Sequence, residues 1–107
     1  MRLSPLDPFH FVNEWALGWA LMLAGRYDEA IEWTDRCLHD RPGYHAAIRG
    51  RVALCGYLGR TEEAREWVKR LPDPAMTIAG YTAFASRFSS AGTLAVWVEG
   101  FRRAGLS

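Results

Sequence analysis

Apolar residues recur along this chain at steps of three and four. Leu17, Ala20, Leu21 and Ala24 form one such series, and Ala30, Trp33, Thr34 and Cys37 form another. That period places each series on one face of an α-helix. No stretch alternates with period two over a strand's length, so essentially no sheet is expected. The helix ends are marked as well. Gly25 and Gly59 each follow an apolar segment and stop it, as a left-handed glycine commonly does. The segments after them open with acids (Asp28, Glu29; Glu62, Glu63) and close with bases (Arg36; Lys69, Arg70), the order that the helix dipole favours. Asp7-Pro8 and Asp73-Pro74 read as an N-cap followed by proline at the first helical position.

The segments also repeat. GRYDEAIEWTDRC at 25–37 and GRTEEAREWVKRL at 59–71 share seven of 13 residues at a constant offset of 34. The identical pairs include Ala30/Ala64, Trp33/Trp67 and Arg36/Arg70, and Pro8 and Pro42 stand at the same offset. A fixed period of this length signifies stacked supersecondary units. The predicted fold is therefore all-α, an array of antiparallel helix-turn-helix units.

A 34-residue unit with this pattern resembles the tetratricopeptide repeat. Leu17-Gly18, Gly25, Tyr27, Ala30 and Pro42 carry the resemblance in the first full unit. It implies a right-handed superhelix of about five or six helices. In it, Gly18 lets neighbouring helices approach, Tyr27 and Ala30 form the interhelix contact, and Pro42 makes the inter-repeat turn. The second unit keeps Gly59, Ala64 and Trp67. It departs at Thr61, which replaces an aromatic, at Arg51-Val52, where Leu-Gly would stand, and at an early RLPDP close. The whole chain, 1–107, then divides into the end of a preceding repeat or N-cap (1–10), two full units (11–44 and 45–74) and a degenerate helix pair or C-terminal cap (75–107), with helices over about 76–88 and 93–105. The stretches LSPLDP, AGRYDEAIEW, LGRTEEAREWVKRL and EGFRRAGLS are similar to the C-terminal repeat region of bacterial class III adenylate/guanylate cyclases. Related tails occur on other bacterial signalling proteins. That resemblance implies a regulatory module of such a protein, without its catalytic domain.

Composition narrows the function classes. Thirteen basic and 12 acidic residues among 107 leave a net charge of +1, so the strong basic field of a nucleic-acid binder is absent. The longest apolar run, 15–25, has 11 residues, whereas a membrane span needs ~20. Cys37 and Cys55 form no CxxC pair, which points to a reducing cytoplasm and to small buried thiols. His10, His39 and His45 stand near predicted helix ends without a carboxylate or thiol at ligand spacing, so they are expected to be solvated or capping. No phosphate loop, nucleophile elbow, HExxH or pair of inward carboxylates is present. Glu29/Glu32 and Glu63/Glu66 sit on solvated faces. No enzyme activity, cofactor or metal is expected.

Five tryptophans in so short a chain demand large apolar surfaces. The resemblance assigns them. In tetratricopeptide arrays the first helix of each unit lines a groove for a partner's peptide or helix. Mapped onto this chain, that groove would use Val12, Trp15, Trp19, Met22 and Leu23, then Arg49, Ala53, Gly56 and Tyr57. Trp15 and Trp19 are four apart and share a helix face. Two readings stay open. The face forms an apolar groove with an Arg rim, or it is covered by the C-terminal helices folding back or by a second copy in a homodimer. Trp33 and Trp67 recur with the repeat and are expected to pack unit against unit. Arg49 and Arg51 are expected to be ordinary surface charges. The Lys/Asn clamp with which some family members grip a C-terminal carboxylate is missing, because Trp15 and Trp19 stand where it would be. The expected function is a non-catalytic protein-interaction module.

Overall fold

The computed structural model describes residues 10–71 and 77–107. The described residues form six helices and contain no strand: α1 (His10–Leu23), α2 (Tyr27–Asp40), α3 (His45–Tyr57), α4 (Thr61–Val68), α5 (Ile78–Ala85) and α6 (Ala91–Arg103). The Asp7-Pro8 and Asp73-Pro74 caps, and the first nine residues of the 1–10 segment, lie outside the described residues.

The glycines that punctuate the sequence do so through one backbone device. Gly25 has φ 80° and donates its N–H to the Met22 carbonyl at 3.1 Å, while Arg26 donates to Leu21 at 2.9 Å. These two bonds satisfy carbonyls that the helix end would leave free, and only glycine enters the left-handed region without strain. The same pair recurs one repeat on. Gly59, at φ 74°, donates to Gly56 at 3.3 Å and Arg60 donates to Cys55 at 2.8 Å. A three-residue turn folds the next helix straight back, so α1 packs on α2 and α3 packs on α4.

The core centres on α3. Ala47, Ile48 and every residue from Gly50 to Gly56 are buried. A helix covered all round needs neighbours on every side, and α1, α2, α4 and α6 supply them. Close approach is bought with small residues. A Cβ on Gly18 of α1 would sit 2.8 Å from Thr34 Oγ1 on α2. A Cβ on Gly100 of α6 would sit 2.8 Å from the Ala53 Cβ on α3, and one on Gly56 would overlap the Gly100 carbonyl. Tyr57 ties the same two helices by donating its hydroxyl to the Val96 carbonyl at 2.6 Å.

The last two helices differ slightly from the expected spans. The helix expected over 76–88 is Ile78–Ala85, capped by Thr77 Oγ1, which accepts from the Gly80 N–H at 3.0 Å. The helix expected over 93–105 is Ala91–Arg103. Ser90 Oγ sets its start by accepting from the Thr93 N–H at 3.2 Å, and Gly105 at φ 99° ends it. Among the described residues, no helix is long and apolar enough to cross a membrane.

Candidate functional site

The face expected to form a groove is largely filled by α6. Trp15 is buried, with its ring against the Gly50 backbone and 6.0 Å from the Trp97 ring of α6. Trp97 in turn meets Phe101 at 5.8 Å and Tyr81 of α5 at 5.9 Å. Met22, Ala53 and Gly56 are buried too. Of the two readings left open for this face, the open groove is corrected at Trp15, Met22, Ala53 and Gly56, which are buried, and Trp15, Ala53 and Gly56 meet the C-terminal helix. The C-terminal helix packs closely on α3, Gly100 against Ala53 and Gly56, and brings Trp97 onto Trp15. Tyr57 is half-buried, its ring stacked on Tyr27 at 4.2 Å and 6°.

What remains on the surface is narrower. Val12 at 38% exposure, Trp19 at 40% and Leu23 at 38% stand seven and four residues apart on α1. They share one helical face with exposed Ala16 and Ala20. Beside Trp19 opens a cleft of about 150 Å³, walled by the rings of Trp15, Tyr81 and Trp97 and edged by Ala46, Arg49 and Ser89. Burial raises the Tyr81 hydroxyl above its ordinary pKa, against the opposing pull of Arg49. Two exposed aromatics had no place in the sequence-based groove. Phe84 and Phe88 form an edge-on pair with centroids 5.5 Å apart, and Phe88 is 75% exposed. Their only sequence signal is the four-residue spacing.

Arg51 is a second correction. It is 9% exposed rather than an ordinary surface charge. Its guanidinium joins three helices: Nε lies 2.9 Å from Asp35 Oδ1 on α2, without hydrogen-bond alignment, and Nη2 donates to Glu63 Oε2 on α4 at 3.4 Å. Glu63, expected on a solvated face, is thus half-exposed but paired. Burial raises the Asp35 carboxyl above its ordinary pKa, an effect that the charge of Arg51 only partly offsets. Arg49, by contrast, is half-buried at the rim of the cleft. The two repeated tryptophans carry a repeated partner: Arg36 lies over the Trp33 ring at 4.4 Å and Arg70 over the Trp67 ring at 4.2 Å. Both rings are half-buried on the second helices of their hairpins.

The third correction concerns His10, expected to be solvated or capping. Its Nε2 lies 3.7 Å from Glu14 Oε2, one turn along α1. Glu14 is only 4% exposed, an inward carboxylate that the sequence reading did not find. Asp40, at the end of α2, completes a group whose ligand-capable atoms all lie within 4.8 Å of one another. Glu14 Oε1 and His10 Nδ1 are buried with no hydrogen-bond partner among the described residues. Burial, and then the neighbouring Asp40 carboxyl, raise the Glu14 pKa from 4.5 to about 7, while Arg36 acts in the opposite sense. The sequence did carry one signal, a His and a Glu four apart on a helix that is otherwise apolar.

Cys37 and Cys55 are free and buried, and burial pushes their thiols up to about 12 and about 11. Such thiols are poor nucleophiles at neutral pH. Compared with known protein families, with curated proteins and with solved structures, the chain finds no match.

Proposed function

We propose that this chain is a non-catalytic protein-interaction module, a tetratricopeptide-like array that acts in the cytoplasm. It docks an amphipathic helix or extended apolar segment, from another protein or a second copy, on the outer face of α1. The observation that carries this reading is the stripe of Val12, Trp19 and Leu23, each more than a third exposed on one helical face. A surface helix ordinarily turns such residues inward. The adjoining cleft adds aromatic walls and a charged rim at Arg49, the mixture typical of a docking hot spot. The 34-residue offset between Gly25 and Gly59, repeated as the same left-handed turn, supports the tetratricopeptide-like superhelix. The same surface would serve if the module is carried on a bacterial signalling enzyme, as its likeness to cyclase tails implies.

Trp19→Glu tests the reading. The variant retains the helical circular dichroism of the wild type. It loses at least ~10-fold in self-association, by light scattering, or in capture of a crosslinked partner from native lysate. Unchanged association and unchanged capture in this variant contradict the proposal.

A further inference from the structure

We propose that His10, Glu14 and Asp40 form a divalent transition-metal site, with zinc as its ion, that staples the start of α1 to the end of α2. The donors converge from two helices. His10 and Glu14 stand one turn apart on the same face of α1, and Asp40 reaches them from the last residue of α2. A second observation points the same way. Glu14 is almost wholly removed from water, yet its Oε1 has no hydrogen-bond partner among the described residues, and neither does His10 Nδ1. Among the described residues no Lys or Arg lies within ion-pair distance of Glu14; the imidazole of His10 is 3.7 Å away, and the charge of Arg36 acts from further off.

A buried carboxyl beside a second carboxylate either takes up a proton or gains a compensating positive charge. A cation seated among the three side chains supplies it. Around a tetrahedral zinc with bonds of about 2.0–2.1 Å, neighbouring ligand atoms lie ~3.3–3.4 Å apart. The His10–Glu14 pair, at 3.7 Å, is within a few tenths of that spacing. Asp40 is exposed at a helix end, so its side chain can close the remaining distance. One imidazole nitrogen and two carboxylate oxygens suit zinc. Calcium requires six to eight oxygens and magnesium a near-ideal octahedron of them. Three protein ligands leave a fourth position for water, and the ion's work here is to hold two helices together.

The test titrates the tag-free, chelator-stripped full chain with zinc chloride at neutral pH, by calorimetry and by thermal unfolding. One equivalent is expected to bind with a Kd of about 1 µM or tighter and to raise Tm by mass action. Asp40→Asn alters an exposed side chain and Glu14→Gln keeps the buried shape. Each is expected to weaken binding at least ~10-fold and to abolish the Tm rise. The double variant His39→Gln with His45→Gln binds as the wild type does. Absence of saturable binding overturns the site. Binding that survives both acid variants, or that is lost with His39 and His45, overturns it equally.

Discussion

Trp15 and Trp19 are one helical turn apart and have opposite fates. Trp15 is pinned between Gly50 and Trp97, while Trp19 faces solvent. Truncating the first removes a large ring from a sealed core, so Trp15→Ala is expected to cost ~3–5 kcal/mol in urea unfolding. Trp19→Ala is expected to cost about 1 kcal/mol or less. Equal costs would contradict the burial of Trp15. Arg49 and Arg51 divide in the same way. Arg51→Ala separates α2, α3 and α4 from their shared cation and is expected to cost about 2 kcal/mol, against less than about 0.5 for Arg49→Ala. The Glu14 carboxyl yields a pH dependence. In chelator-treated protein it titrates at about 7 when folded, against an ordinary 4.5. Between those values the folded chain holds a proton that the unfolded chain has lost, so stability falls as pH rises through that window. The titratable and charged groups facing it are His10 on α1 and Arg36, Cys37 and Asp40 on α2. Urea midpoints at about pH 5.5 and 8 check this: the wild type loses stability between them and Glu14→Gln loses less. A wild type that gains stability over this range would contradict it.

At the scale of elements, the parts legible in the sequence are those governed by local rules. The ends of α1 and α3 could be read because a left-handed position needs glycine, and Gly25 and Gly59 occupy such positions at a fixed offset. The acidic starts of α2 and α4 could be read because the helix dipole acts within one turn, whereas the expected basic ends were misplaced: α2 runs on past Arg36 to Asp40, and α4 ends at Val68, before Lys69 and Arg70. Cover by the C-terminal helices was one of two readings open for the α1 face, but the contacts by which α6 docks could not be read. The docking depends on Gly100 meeting Ala53 and Gly56, and on Trp97 meeting Trp15. These contacts join residues far apart in the chain and leave no periodic mark. The same holds for Asp40, which reaches Glu14 only once α2 has folded back. A pair of substitutions tests the α3–α6 seam. Gly100→Ala overpacks the crossing and is expected to destabilise by ~1–3 kcal/mol. Gly92→Ala lies on the same helix with open space around it, and is expected to gain ~0.5–1 kcal/mol from helix propensity. If both variants shift the urea midpoint in the same direction, the close packing of α6 is refuted.

The whole molecule is organised around α3. Its radius of gyration is 13.2 Å, with extents of 39 × 27 × 24 Å. A compact chain of this size is expected near ~13 Å. Two hairpins with a 34-residue offset would leave their first-helix faces open, and α6, supported by α5, covers the α3 part of that surface and reaches Trp15 of α1. The covering helix converts the broad groove of the sequence reading into a narrow stripe on α1 and one cleft beside Trp19. Partner binding is therefore expected to leave α6 in place and to bury Trp19 alone among the two α1 tryptophans. The most direct test is the association of wild type and Trp19→Glu measured side by side, with capture from native lysate and light scattering on the same samples. The account predicts a folded variant that has lost the association. A folded variant that associates as strongly as the wild type would contradict it.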